Sequence, residues 1–207
     1  ESDALGGHDP YSASKAMADL LTQSWVSSFD GPATAIARAG NVIGGGDWAL
    51  DRILPDAVRA WQSDQPLQVR RPEAVRPWQH VLEPLAGYLQ LAECLWTRSD
   101  FAGAYNFGPN TNEVATVRKI IEMARIAYGQ GEVEYCNEDN GLHEAGWLGL
   151  ETIKARTQLG IEPIWGLNES VKKTMNWYKL QNEGVSAREL CLSQIDDYQR
   201  DLEAKND

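Results

Sequence analysis

Pro10-Tyr11-Ser12-Ala13-Ser14-Lys15 opens the helix whose reading decides the fold. Asp9 is a good N-cap and Pro10 suits the first helical position, so a helix is predicted over 10–29. Ala16, Leu20, Leu21 and Val26 give it a mostly apolar face, and Asp30-Gly31-Pro32 ends it. Tyr11 and Lys15 stand four apart, so the helix stacks them on one face. An ammonium beside a phenol favours the phenolate, which suits a general base acting on a hydroxyl. A bare tyrosine–lysine pair at this spacing also occurs on ordinary solvated helices. The longer string with an apolar helix behind it is more specific.

Outward from that helix the pattern is mixed. Residues 34–39 read as a short buried strand centred on Ile36 and Ala37, and 40–47 as a glycine-rich loop. Ile53–Gln62 reads as a helix, 67–70 as a strand, and 77–81 as a tight connector. A helix is predicted over 83–97, and a second buried strand over 104–107, closed by Gly108-Pro109-Asn110. An amphipathic helix over 116–128 and a strand over 133–136 follow, then a loop over 137–148. Thr152 can cap a helix ending near Gly160, and Asn168 one reaching Asn182. Ser186 with Glu189 forms a capping box for a last helix. The two buried strands lack enough partners within the chain, so they read as the last strands of a parallel sheet whose first strands lie elsewhere. The opening Glu1-Ser2-Asp3-Ala4 shows no start methionine and no leading strand, which points to a chain beginning in mid-domain.

Composition narrows the function. The 207 residues are 43% hydrophobic and 24% charged, enough for a real core. The 30 acidic and 19 basic side chains give a net charge of −11, which opposes nucleic acid and anionic lipid. A phosphate-bearing ligand would need a local arginine cluster, and 52–76 supplies one. Cys94, Cys136 and Cys191 are far apart and odd in number; reduced, buried thiols are expected, with no disulfide or zinc. His8, His80 and His143 lack metal spacing, and His80 reads as a hydrogen-bonded core residue. Eight tryptophans suggest mostly core packing, with Trp48 and Trp78 flanking the ligand loops. No Gly-Lys-Ser/Thr follows Gly46, which excludes a Walker phosphate loop. With no long apolar run or leader peptide, a cytoplasmic location is expected.

The string at 10–15 with its apolar helix resembles the active-site helix of the extended short-chain dehydrogenases, the NAD-dependent epimerase/dehydratase family. The stretch Thr34-Ala35-Ile36-Ala37-Arg38-Ala39-Gly40-Asn41-Val42-Ile43-Gly44 is similar to the next strand and its exit loop, beside the nicotinamide. Arg76-Pro77-Trp78-Gln79-His80-Val81-Leu82-Glu83-Pro84-Leu85 is similar to the family's arginine-aromatic-x-x-valine segment, and its spelling resembles the branch acting on CDP-glucose. Tyr105-Asn106-Phe107-Gly108-Pro109 resembles the final sheet strand. The likeness runs from near Asp9 to near Tyr198.

That resemblance implies an α/β fold: the C-terminal part of an extended short-chain dehydrogenase, with an incomplete Rossmann parallel sheet and a small, mostly helical substrate-binding domain. Residues 1–48 would be the Rossmann remnant. Residues 49–207 would mainly bind nucleotide-sugar, with 82–110 returning to the sheet. Tyr11 and Lys15 would be catalytic, and with Arg38 and Ala39 would contact NAD. Asn41, Arg52, Leu54, Val69, Arg76, Asn106 and His143 would bind substrate, Arg76 on the diphosphate and Val69 against the base. His143 sits in a turn where dTDP-glucose dehydratases carry arginine and this chain has Ala145-Gly146, which argues against that branch.

The implied reaction is NAD-dependent dehydration of CDP-glucose to the 4-keto-6-deoxy sugar, which feeds O-antigen and other lipopolysaccharide deoxysugars. A homodimer built through the Tyr11 helix is implied as well. The family's glycine-rich cofactor turn, its threonine and its acid–lysine dehydration pair do not occur here. The chain alone is therefore expected to be inactive. Another nucleotide-sugar epimerase or dehydratase, or a non-catalytic nucleotide-sugar-binding module, are the alternatives.

Overall fold

A computed structural model describes residues 1–7, 9–136 and 146–206. Helix α1 spans Pro10–Ser28, and the Asp9 side chain accepts the Ser12 amide at 3.0 Å. Strand β1, Ala35–Ala39, follows, and its register runs parallel to β6, Gly103–Phe107. Strand β2, Asn41–Ile43, pairs in parallel with β5, Trp78–His80. Strand β3, Leu67–Val69, pairs in parallel with β8, Val133–Tyr135. Strand β4, Val75–Arg76, runs antiparallel to β7, Ala115–Thr116. The helices between and after them are α2 Ile53–Gln62, α3 Leu82–Thr97, α4 Val117–Tyr128, α5 Ile153–Leu159, α6 Leu167–Asn182 and α7 Ala187–Asn206.

Gly40 joins the two parallel pairs that frame the site. Its amide donates to Phe107 O at 3.1 Å, while the Asn41 amide donates to Pro77 O at 3.0 Å. A Cβ on Gly40 would lie 2.7 Å from Pro77 O, so the crossing admits only glycine without a shift.

Two apolar clusters hold the molecule. Leu54, Val58 and Trp61 of α2 pack with Ile120 and Ile121 of α4 and with Val171, Met175 and Trp177 of α6. A smaller cluster joins Leu91 of α3, Tyr105 and Phe107 of β6, and Ala155 and Leu159 of α5. Fully burying one such side chain contributes about 1.5–3 kcal/mol.

Several expectations change. Within the expected connector 77–81, Trp78–His80 is strand, and so is Asn41–Ile43 within the expected loop. Three-residue strands are too short for alternation to show, and each is set by a partner distant in sequence. Strand β1 is half-exposed rather than buried, because β6 alone pairs with it among the described residues. The apolar stripe of α1 is also uncovered: Leu21 is 72% exposed, and Met17 and Leu20 are exposed too. Helix α6 starts after Gly166, so Asn168 lies inside it; the Glu113 carboxylate instead accepts the Leu167 amide at 3.4 Å. Thr152 makes no cap bond, and Glu151 accepts the Ile153 amide at 2.8 Å in its place. Ser186 does accept the Glu189 amide, at 3.2 Å. Cys94 and Cys136 are half-buried and Cys191 is exposed, so none is a core thiol. Trp61, Trp78, Trp165 and Trp177 are buried, whereas Trp25, Trp48, Trp96 and Trp147 are exposed. No helix among the described residues is long and apolar enough to cross a membrane.

Candidate active site

The C-terminal ends of β1 and β2 open on a cleft of about 920 Å³. Cap and proline fix the start of α1, and this brings Tyr11 to the cleft rim. Tyr11 is 65% exposed, and the Lys15 ammonium lies 5.7 Å from its ring centroid. That arrangement leaves the phenol open to a ligand and keeps a cation beside it. The lysine itself does not line the cleft.

The exit of β1 supplies Ala39 and Gly40, and β2 supplies Asn41. The wall then continues through 44–51 to the start of α2, with Arg52 and Leu54. The opposite side carries Gln68, Val69, Arg70, Arg71, Arg76 and Trp78. Four arginines thus converge on one cleft in a chain of net charge −11. Arg76 is only 7% exposed, because the β4–β7 ladder sets it inside; its guanidinium donates to Val75 O at 2.8 Å. The first turn of α2 faces the cleft with no side-chain cap on its amides, which adds a partial positive charge. Asp47, Asp51 and Asp56 also line the space, and Asp56 pairs with Arg59.

Of the residues singled out in the sequence, Tyr11, Ala39, Asn41, Arg52, Leu54, Val69 and Arg76 share this cleft. Arg38 lies elsewhere: its guanidinium donates to Asp19 at 2.7 Å and to Glu1 O at 3.2 Å, tying β1 to α1. Asn106 is buried, and its amide donates to Glu151 O at 3.1 Å, away from the cleft. His143, Glu144 and Ala145 fall outside the described residues, as does His8. Trp78 lines the cleft; Trp48 does not, and instead meets the Tyr178 ring edge-on at 5.1 Å.

Arg70, Arg71 and the wall 44–51 were not singled out as ligand groups. A doubled arginine in an acidic chain was the available signal for the first two. The wall is irregular backbone, which sequence patterning does not mark.

His80 is a core residue: it is fully buried, Nδ1 accepts the Leu82 amide at 3.3 Å, and the ring meets Trp165 at 4.8 Å. Burial, reinforced by the Lys173 ammonium, lowers its pKa to about 4. Burial raises the Glu83 carboxyl, against the Trp165 and Ile164 amides and the Tyr198 hydroxyl that donate to it.

The chain is 40% identical to CDP-glucose 4,6-dehydratase of Salmonella typhimurium, over 96% of this chain and 58% of that protein. It is 26% identical to dTDP-glucose 4,6-dehydratase of Neisseria gonorrhoeae, over 82% of this chain and 50% of that one. The chain therefore spans little more than half the length of these relatives. Among solved structures, dTDP-glucose 4,6-dehydratase of Bacillus anthracis in complex with NAD superposes with a TM-score of 0.73 at 20% identity, over 89% of this chain and 56% of that one. UDP-glucuronic acid 4-epimerase of Bacillus cereus gives 0.72 at 18% identity, over 87% and 58%. These likenesses show the α/β fold of the extended short-chain dehydrogenases. The family model described as NAD dependent epimerase/dehydratase matches residues 1–98. Over those residues the chain is similar to that family, and the fold likeness to the solved structures extends over most of the remainder.

Proposed function

We propose that this chain is the substrate-binding and proton-transferring part of a CDP-glucose 4,6-dehydratase, which makes CDP-4-keto-6-deoxyglucose for bacterial surface polysaccharide. One observation carries the proposal: an exposed phenol with its ammonium neighbour and a cluster of arginines open on the same cleft. The phenol suits proton transfer from a sugar hydroxyl. The guanidiniums suit a diphosphate, which they can hold by planar, bidentate hydrogen bonds. The 40% identity to a relative of that name favours CDP-glucose over other nucleotide-sugars.

In this reading Tyr11 takes the proton of the sugar C4 hydroxyl, with the Lys15 ammonium beside it. Arg52 and Arg76 hold the diphosphate, Asn41 contacts it, and Leu54 and Val69 pack against the nucleoside. His143 is proposed to bind substrate as well. NAD, when bound, supplies acceptance and return of a hydride. The described residues fit its nicotinamide end, where Tyr11, Lys15 and Ala39 offer a phenol, an ammonium and the β1 exit. Asn106 and Arg38 would act from behind, through β6 and the α1–β1 ion pair. Residues 1–48 with 82–110 are read as the Rossmann part and the rest of 49–207 as the nucleotide-sugar part; the parallel β1–β6 pair, which lies wholly in the first, supports that division. The uncovered apolar stripe of α1 supports a homodimer, and the whole is proposed to work in the cytoplasm.

Calorimetric titration of the chain with CDP-glucose tests the substrate half of the proposal. Micromolar or tighter binding, with weaker binding of dTDP-glucose, is expected. Equal affinity for both, or no binding of either, would overturn it. The activity is checked in the full enzyme, by the ultraviolet absorbance of the 4-keto product in base.

A further inference from the structure

We infer that Tyr178 of α6 and Arg59 of α2 are positioning residues: they hold the cleft wall 44–51 from behind and so set the affinity for the nucleotide-sugar. The inference rests on the function proposed above. The wall contains no helix or strand, so its carbonyls find no ladder of their own. They are held from outside instead. The buried Tyr178 hydroxyl donates to Asp47 O at 2.6 Å and reaches Gly44 O at 3.3 Å. The Arg59 guanidinium donates to Trp48 O and to Ala49 O, each at 3.0 Å. Neither Tyr178 nor Arg59 lines the cleft, whereas Gly44, Gly45, Asp47, Ala49 and Asp51 do.

Packing reinforces the hydrogen bonds. A Cβ on Gly45 would lie 2.1 Å from the Trp177 ring, so the wall is pressed onto α6 with no spare room. Trp48 closes over Tyr178 edge-on. At the far end Asp51 takes a left-handed φ of 60°, a conformation that non-glycine residues hold only when their surroundings impose it. Arg52 follows directly, so this turn decides where that cleft arginine sits. Burial pushes the Tyr178 phenol above its ordinary range, which keeps it a donor at neutral pH. Without the clamp the wall would sample several conformations, and binding would carry the cost of ordering it.

Tyr178→Phe removes one hydroxyl and keeps the ring. Two measurements follow: calorimetry with CDP-glucose, and amide hydrogen exchange over 44–49. The expected result is binding weakened about tenfold, faster exchange over 44–49, unchanged exchange in α4, and thermal unfolding shifted by little. Gly45→Ala, which lifts the wall from Trp177, should also weaken binding and speed exchange over 44–49, with a loss of thermal stability besides. Arg59→Lys keeps the charge but cannot span two carbonyls, and should give a smaller effect in the same direction. Unchanged affinity in Tyr178→Phe, or unchanged exchange over 44–49, overturns the inference. Should the unsubstituted chain fail to bind CDP-glucose, the proposed function falls, and the exchange rates still decide the clamp.

Discussion

Asp19 on α1 and Arg38 on β1 meet at 2.7 Å, with the acid only 8% exposed. The Gln23 amide donates to the other carboxylate oxygen at 2.6 Å. This pair fixes the Tyr11 helix against the sheet strand that opens on the cleft. The hydrogen bond from Arg38 holds the Asp19 carboxyl below its ordinary range. Asp19→Ala leaves a half-buried guanidinium without its main partner. A loss of about 1.5–3 kcal/mol is expected in denaturant unfolding, the scale of a hydrogen bond to a charged group. The same contribution is present above the unfolded carboxylate pKa and is lost as pH falls through the folded one. If Asp19→Ala unfolds at the same denaturant concentration as the parent, the pair does not fix the helix.

Gly40 is the hinge between the two parallel strand pairs. Gly40→Ala puts a methyl 2.7 Å from Pro77 O and against the Pro77 ring, and both lie in ordered backbone. A cost of about 1–3 kcal/mol is expected, as for other overpacked sites, lowering the melting temperature by about 2–4 °C for each kcal/mol. Because Asn41 and Arg76 flank this crossing, nucleotide-sugar affinity should fall with it. A melting temperature unchanged by the substitution would show that the strands can part without strain.

Much of this architecture was legible in the sequence, and the limits have physical causes. Longer segments with a helical pattern, and in α1 a cap as well, announced themselves: α1, α2 and α4 lie within a residue or two of the expected bounds. Strands β2 and β5 did not, because three residues carry no period and their pairing is decided by tertiary contact. The ligand cluster was legible where chemistry is rare in context, as with arginines in an acidic chain. The clamp was not: Tyr178 lies on an ordinary-looking helix, and only the fold shows that its hydroxyl ends on the cleft wall.

Arg76 offers the sharpest test of ligand chemistry. It is the most buried of the cleft arginines, and its guanidinium is planar. Arg76→Ala should weaken CDP-glucose binding by about 10- to 100-fold, equivalent to about 1.5–3 kcal/mol for a charged hydrogen bond. Arg76→Lys should recover little of it, since a point charge cannot make the bidentate contact. Added salt should weaken binding less in the alanine variant than in the parent. Full affinity in Arg76→Lys would mean the residue supplies charge alone.

His80 gives the fold a pH dependence of definite sign. Its folded pKa of about 4 lies below the ordinary histidine value of 6.5, since burial and Lys173 both oppose the imidazolium. The unfolded chain therefore binds more protons between these values. Stability is full above about 6.5 and declines as pH falls toward 4, by about 3 kcal/mol in all. Gln194, a hydrogen-bond partner, favours the imidazolium, and two carboxyls that bond the neighbouring Trp165 and Lys173 titrate as well. Glu83 has a carboxyl raised by burial, which works in the opposite sense: its neutral form is favoured in the fold, so acidification relieves a cost. Asp197, bound to Lys173 at 2.6 Å, is held low by that ammonium and adds to the acid loss only below the ordinary carboxylate range. Denaturant titrations at pH 7 and pH 4.5 separate these contributions. The parent should lose about 2–3 kcal/mol between them, and His80→Gln should lose distinctly less, whatever its absolute stability. An equal loss in both would place the acid sensitivity elsewhere in the fold.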